Sequence, residues 1–206
     1  MPQVSFQAFV AGVMSGSLGS FPTDTVPALA VRPTNADLIF QAKQRSWEKP
    51  LILMVATIDD GWAYVSGTPA ERQVWQRVAK RFWPGALTLV LPASDRVPPS
   101  MNPKTRDTIG VRVPDHAIAL AILRQTGPLA TTSANRSGES ALQTLAEIEA
   151  QFPEVLTLLP IELKSLPEPP SAGGRSSGTP STVARWTGSG WETLRQGAVV
   201  LEEDAD

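Results

Sequence analysis

The sequence contains no cysteine, a single histidine and a single tyrosine. Without cysteine, disulfide bonds, thiolate nucleophiles and cysteine-based zinc or iron–sulfur sites are excluded. The single histidine, His116, excludes a metal site built from several histidines, and a Ser–His–Asp triad would have to use this residue. The chemistry of the protein must therefore rely on other oxygen and nitrogen groups.

The sequence also lacks a strong net charge and a long hydrophobic run. Its 18 lysines and arginines face 20 aspartates and glutamates, so the formal charge is -2 and any basic site must be local. The longest apolar runs, 51–56 and 117–123, are far shorter than a membrane span. No basic region or cleavage pattern indicates a secretory signal, so we expect a cytoplasmic protein without a membrane partner.

The composition predicts one folded unit. Apolar residues make up 42% of the 206 residues, which is enough for a hydrophobic core, and the length fits one domain spanning residues 1–206. The Pro-, Gly- and Ser-rich segment 167–180 predicts a mobile loop within that domain.

Helices are predicted where a capping residue precedes apolar residues at helical spacing. Thr68 with Glu71, and Thr144 with Glu147, predict capping boxes, and Asp115 predicts a third N-cap. Short apolar segments between the helices predict strands, and the four prolines of segment 92–107 predict an irregular surface excursion. Because helices and strands interleave irregularly, we expect an α+β fold in which helices pack against a mixed sheet.

Four polar clusters fall in predicted loops or at strand ends, where a scaffold presents side chains to ligands: 22–25, 43–50, 130–138 and 171–183. Each has an ordinary explanation as well. The cations of 43–50 form either a solvated helix end or a polyphosphate clamp. The turn at 22–25 either caps itself or binds a ligand. The segment 130–138 is either a simple loop or a site that binds anionic oxygens. The segment 171–183 is either a linker or a lid. Walker A and dinucleotide-binding glycine motifs are absent, so nucleotide binding would need another design.

Taken together, the clusters resemble the YrdC/Sua5 family of threonylcarbamoyl-AMP synthases in its short, single-domain form. The motifs that carry the resemblance are PTDTV at 22–26, KxR and KPL within 43–51, FWPGxLT at 82–88, VRVP at 111–114, SANxSG at 133–138 and PSTV at 180–183. The resemblance implies a YrdC-like (RibB-like) fold, a twisted mixed sheet flanked by helices, with a concave and positively lined cleft.

The resemblance also implies an activity and a set of site residues. The family forms L-threonylcarbamoyladenylate and pyrophosphate from L-threonine, bicarbonate and ATP, for the threonylcarbamoyladenosine modification of tRNA by downstream proteins. By resemblance the catalytic residues are Lys43, Arg45, Ser133 and Asn135, further ATP contacts are Lys49 and Ser181, and the threonine contacts are Thr23, Thr25 and Arg112. Mg²⁺ would be held through the phosphates, with no protein ligand assigned.

One position departs from the family pattern. Pro27-Ala28 stands where the family usually has Tyr-Gly, next to the implied threonine site. Two alternatives therefore remain beside the synthase. One is a nucleotide-binding paralogue with altered or lost synthase activity, and the other is a protein that binds double-stranded RNA or tRNA in the same cleft.

Overall fold

The computed structural model describes residues 3–165 and 176–201. Most of the predicted loop, residues 167–175, lies outside the described residues. The first part of the chain contains β1 (Gln3–Val4), α1 (Phe6–Met14), β2 (Gly19–Phe21), β3 (Ala28–Val31), a 3-10 helix (Pro33–Asn35) and α2 (Asp37–Lys43). The middle contains β4 (Ile52–Met54), α3 (Ile58–Trp62), α4 (Pro69–Phe82), β5 (Leu87–Pro92), β6 (Thr108–Arg112) and α5 (Ala117–Thr126). The last part contains β7 (Leu129–Ser133), α6 (Leu145–Gln151), β8 (Thr157–Leu158), α7 (Pro160–Ser165), β9 (Thr182–Trp186) and β10 (Trp191–Arg195).

An eight-stranded sheet organises the described residues, in the order β10-β9-β5-β6-β4-β7-β3-β2. β4 runs parallel to β6, and β9 runs parallel to β5, whereas the other neighbours are antiparallel. β1 and β8 form a separate parallel pair. The sheet is therefore mixed and has helices packed against it, which confirms the predicted α+β fold.

Alternating side chains divide the sheet between two environments. On β5, Leu87, Leu89 and Leu91 point into a core that also contains Trp75 and Ala79 of α4. The opposite face is covered only in part, where α1 and α5 bury Phe9, Val13, Ile118 and Ile122 against Ala28, Ala30 and Met54. Because these two helices leave the remainder of that face uncovered, the sheet itself can form the floor of a cleft.

Local capping signals are confirmed in part. The capping boxes at Thr68 and Thr144 are present, and a third at Thr57, which the sequence analysis did not use, begins α3. The predicted N-cap at Asp115 is wrong. His116 has extended backbone angles and is itself the N-cap residue, so α5 begins one residue later than predicted.

Segment 92–107 is irregular, as predicted, but it does not stay on the surface. Met101 is fully buried and Asn102 is 2% exposed. The Asn102 side chain accepts a hydrogen bond from the Leu51 amide at 3.1 Å and donates one to the Thr108 carbonyl at 2.8 Å. This segment therefore returns to the sheet and joins β4 to the start of β6. Within the described residues, no helix has the length and apolar character needed to cross a membrane.

Candidate functional site

A cleft of about 380 Å³ lies on the partly uncovered face of the sheet. Its floor consists of residues that alternate along the strands and point to the same side. These are Ile52 and Met54 of β4, Thr88 and Val90 of β5, Gly110 and Arg112 of β6, and Thr131 and Ser133 of β7. Turn residues 23–28 and the C-terminal hairpin border the floor, so segments that are far apart in the sequence meet in one concavity.

Lys43, the last residue of α2, lies behind the Ser133 loop at one end of the cleft. The helix stops because Gln44 adopts the left-handed conformation with φ 50°. The Lys43 side chain, only 1% exposed, donates a hydrogen bond from Nζ to the Ser133 carbonyl and another to Asn135 Oδ1 at 3.3 Å. Ser133 Oγ donates to the same Oδ1 at 2.5 Å. The two segments that the resemblance assigns to catalysis are thus in direct contact.

The Lys43 side chain is buried, and the described residues supply no acidic partner for its ammonium group. Burial first, and then the neighbouring charges of Arg45 and Lys49, together lower the pKa of Lys43 to about 7. Among the described residues, no salt bridge engages Lys43, Arg45 or Arg195. A bound anion would therefore favour the charged form of Lys43.

Arg45 enters the cleft from the loop that follows α2. Its Nε and Nη2 donate to the carbonyls of Lys49 and Pro50, each at 3.0 Å, which fixes the guanidinium at the wall. Burial, and then the charge of Arg195, lower the pKa of Arg45 from its usual value. The Lys49 side chain is exposed and, like Lys43 and Asn135, is not among the residues that line the cleft, although its charge acts on Lys43.

Ser181 joins the cleft through the β9 side of the sheet. Its hydroxyl is hydrogen-bonded to Thr88 Oγ1 at 2.9 Å, and its carbonyl accepts bonds from Arg195 Nη2 at 2.8 Å and Nε at 3.1 Å. Arg195 of β10 lines the cleft and was missed by the sequence analysis. It is an isolated arginine at the end of β10 and belongs to none of the motifs, so only the pairing of β10 with β9 brings it to the site.

Arg112 organises the other end of the cleft. Its Nη2 donates to Asp24 Oδ1 at 2.6 Å, Nη1 donates to Thr25 Oγ1 at 2.8 Å, and Nε donates to the Gly85 carbonyl at 3.0 Å. The Arg112 and Asp24 side chains are 6% and 11% exposed, so this ion pair is buried. Burial lowers the pKa of Arg112, and Asp24 opposes that shift.

The predicted threonine contacts lie together at this end. Thr23 Oγ1 lies 3.1 Å from Thr25 Oγ1 and donates to the Val26 carbonyl at 2.7 Å. Asp24, to which the sequence analysis gave no separate role, supplies the charge that neutralises Arg112. The described end of the predicted loop packs here as well, because the amides of Ser177 and Gly178 donate to the carbonyls of Asp24 and Thr25 at 3.0 and 2.9 Å.

Cations dominate the walls of the cleft. Arg45, Arg112, Arg185 and Arg195 line it, with Lys43 behind the Ser133 loop, although Arg112 and Arg185 are paired with Asp24 and Glu192. In the described part of the chain, no group of three or more acidic or histidine side chains is arranged to hold a metal ion. The fold and the cleft thus define a small α+β protein suited to an anionic ligand of moderate size.

Comparison with known proteins identifies the family. Residues 13–197 match the Sua5/YciO/YrdC family model, which carries the description "Telomere recombination". The chain belongs to this family.

Several relatives are threonylcarbamoyl-AMP synthases by name. The chain is 37% identical to that of Bacillus subtilis over 67% of its own length and 40% of the relative. It is 36% identical to that of Pyrococcus abyssi over 68% of its length and 41% of the relative. It is 35% identical to that of Halorhodospira halophila over 81% of its length and 88% of the relative. The chain thus spans about 40% of the first two relatives and most of the third.

Solved structures agree with this assignment. The crystal structure of P. abyssi Sua5 complexed with L-threonine has a TM-score of 0.78 and 31% identity, covering 93% of this chain and 54% of that one. E. coli YciO has a TM-score of 0.74, with 93% of this chain and 88% of that one covered, and at 24% identity it supports the fold alone.

Proposed function

We propose that the protein is an L-threonylcarbamoyladenylate synthase, a nucleotidyltransferase that converts L-threonine, bicarbonate and ATP into the adenylate and pyrophosphate. The observation that carries the proposal is the contact of Lys43 with Ser133, which lines the same cleft as the hydrogen-bonded pair Arg112 and Thr25. Named relatives that match most of the chain support it, as does the threonine complex of P. abyssi Sua5.

The two ends of the cleft suit the two larger substrates. Lys43 and Arg45 lack an acidic partner among the described residues, so they supply positive charge for the triphosphate of ATP. Ser133, Asn135 and Ser181 add hydroxyl and amide groups that order phosphate oxygens, with Lys49 further out on the same side. At the other end Thr23, Thr25 and Arg112 hold threonine, Arg112 through the substrate carboxylate.

The reaction needs positioning more than protein-based covalent chemistry. The threonine amine combines with bicarbonate to give a carbamate and water. A carbamate oxygen then forms a bond to the α-phosphorus of ATP, and the bond from that phosphorus to pyrophosphate breaks. Lys43 and Arg45 offset the charge that develops on the phosphate oxygens, while Arg112 and Thr25 keep the carbamate aligned.

The donor set fits Mg²⁺ bound through substrate oxygens. The described residues offer hydroxyl and amide groups in the cleft but no carboxylate cluster. Such a site matches the coordination preference of Mg²⁺, which binds substrate phosphates and retains several water ligands. When bound, Mg²⁺ would withdraw negative charge from the phosphates, and Ser133 and Asn135 would hold those phosphates in place.

The test is incubation with ATP, bicarbonate, Mg²⁺ and each amino acid in turn, followed by mass analysis of the adenylate and measurement of pyrophosphate. We expect pyrophosphate release that requires threonine and bicarbonate. ATP binding without pyrophosphate would instead identify a nucleotide-binding paralogue. Salt-dependent RNA affinity without ATP, together with no adenylate, would identify an RNA-binding protein.

As a synthase, the protein would act in the cytoplasm and pass the adenylate to the proteins that modify tRNA. Its tryptophans favour this proposal over recognition of single-stranded RNA, which usually uses exposed stacking rings. Trp75 and Trp83 are buried, whereas Trp47 is 43% exposed and already stacks on Phe40 with ring centroids 4.4 Å apart.

A further inference from the structure

Gly110 occupies the centre of β6, a strand that has neighbours on both sides. Glycine in the interior of a strand is unfavourable, because it loses more conformational entropy on folding and contributes no side chain to packing. Such a residue often marks a place where a ligand or another backbone comes close.

The backbone at Gly110 does not require glycine. The described glycines with positive φ are at positions 16, 127, 138, 178 and 188, and Gly110 is not among them. A residue with a side chain would therefore adopt the same extended backbone without strain.

Packing does not require glycine at this position either. A Cβ atom added to Gly110 would lie 3.3 Å from Thr88 Cγ2, 3.5 Å from Ile52 Cγ1 and 3.8 Å from Val90 Cγ2. These three nearest atoms belong to side chains of the cleft floor, and the closest contact needs a shift of only a few tenths of an ångström. The feature that a side chain at position 110 would remove is open space in the cleft.

That space lies between the two ends of the site. Gly110 pairs with Ile52 and Val90 in the sheet, and Ile52 pairs with Thr131. Arg112 lies two residues along the same strand, a step of about 7 Å. Thr131 of β7 lies opposite Gly110, two strands away, and Ser133 lies two residues further along β7 in the direction away from Arg112, about 12 Å from Gly110. A substrate on Arg112 and another on Ser133 would therefore approach each other over Gly110.

We propose that Gly110 is a specificity-determining position whose missing side chain leaves room for the amino acid and the nucleotide to bind side by side. This inference rests on the proposed function, because it takes the two ends of the cleft as the two substrate sites. It predicts that a side chain at position 110 reduces joint binding of the substrates more than binding of either one alone.

The test uses Gly110→Val, because valine suits a strand and places two methyl groups over the floor. Calorimetry measures L-threonine binding to the free protein and to protein saturated with a non-hydrolysable ATP analogue. We expect each ligand alone to bind within about twofold of the unsubstituted protein, and threonine affinity for the analogue-loaded variant to fall about tenfold or more. At saturating ATP, the KM for threonine should rise by a similar factor.

Two further variants keep the test decisive. Gly110→Ala fills less space, so the same defect should be only about threefold, and this variant remains informative if valine prevents folding. Ile109→Val changes the same strand on the opposite, fully buried face and should leave joint binding unchanged. Normal joint binding by Gly110→Val would overturn the inference, as would loss of one ligand alone. Failure of the proposed function would appear differently, as no threonine-dependent pyrophosphate release by the unsubstituted protein.

Discussion

The two ends of the cleft handle positive charge in opposite ways. At the Lys43 end, the cations hydrogen-bond to neutral groups, carbonyl oxygens and the Asn135 amide, and no described salt bridge neutralises Lys43 or Arg45. At the Arg112 end, the guanidinium is already neutralised by Asp24 at 2.6 Å. Both ends are buried, so this difference is not a matter of solvent exposure.

The difference indicates which ligand each end prefers. An end that keeps uncompensated positive charge gains most from a polyanion, because the ligand supplies the missing countercharge in a poorly solvated place. An end whose cation is already paired gains less from additional negative charge and offers directed hydrogen bonds instead. This matches a triphosphate at Lys43 and a small amino acid at Arg112.

The largest expected effect is on turnover at the unpaired end. If the proposed function is correct, Lys43→Ala or Arg45→Ala should lower ATP-dependent pyrophosphate release by about 100- to 1,000-fold, because each would remove a positive charge close to the reacting phosphates. Circular dichroism should show a folded protein for both. The matched control is Lys80→Ala, an exposed lysine in the last turn of α4, which should leave the rate unchanged. A normal rate of pyrophosphate release by Lys43→Ala would contradict the proposal that the Lys43 end of the cleft binds the triphosphate.

Stability should respond most at the paired end. Asp24→Asn leaves the buried Arg112 charge without a counterion, so the free energy of unfolding should fall by about 3 kcal/mol. Lys43→Met should lower the free energy of unfolding much less, because it removes a buried charge for which the described part of the chain supplies no acidic partner. Denaturant unfolding measures both, with the exposed Asp59→Asn as a neutral control. Equal losses for Asp24→Asn and Lys43→Met would contradict the comparison.

Proton uptake on ATP binding near neutral pH should distinguish the Lys43 end of the cleft from the Arg112 end. The pKa of Lys43 is about 7 in the folded protein, and a triphosphate beside it should raise that value. At about pH 8, ATP binding should therefore take up a proton fraction approaching one, measurable by calorimetry in buffers of different ionisation enthalpy. Lys43→Arg, which stays charged, should abolish the uptake. Uptake that persists in this variant would assign the proton to another group.

The lowered pKa of Lys43 also makes the free energy of unfolding depend on pH. Between about pH 7 and 10.5, the unfolded chain holds a proton on Lys43 that the folded protein has released. The contribution of Lys43 to stability should therefore increase as the pH rises through this window, and it should be least favourable below pH 7.

The smallest expected effect concerns the departure at residues 27 and 28. Both residues line the cleft beside the Thr25 turn. Pro27→Tyr combined with Ala28→Gly should lower the KM for threonine by about threefold, on the order of 0.6 kcal/mol, if the present pair has weakened that end. Steady-state kinetics with saturating ATP measure the effect. No gain, with vigorous turnover before substitution, would show that Pro27-Ala28 is harmless.

Local features of the fold were predictable from the sequence, whereas long-range contacts were not. The capping boxes at Thr68 and Thr144 need only four neighbouring residues, so their sequence pattern is sufficient. The sheet order and the return of Asn102 to the β4 edge depend on pairings between distant segments. No local period or spacing encodes such pairings, which is why segment 92–107 was expected to remain on the surface.

The site divides in the same way. The meeting of Lys43 with the Ser133 loop was expected from the order of family motifs, and the structure contains it. Arg195 carries no motif of its own, and its position follows from the β9–β10 hairpin. Asp24 lay inside a recognised motif, but its function as the partner of Arg112 depends on the tertiary fold.

The attachment of Ser176 to the Thr25 carbonyl joins residues that are 151 positions apart in the chain. The amides of the next two residues bind the same turn, so the proposed amino-acid end is assembled from both extremes of the sequence. A ribosome must therefore release nearly the whole polypeptide before this end can take shape, whereas Lys43, Ser133 and Asn135 are all synthesised earlier. A nascent chain stalled before residue 176 would hold Lys43, Ser133 and Asn135 but would lack the segment that binds the Thr25 turn.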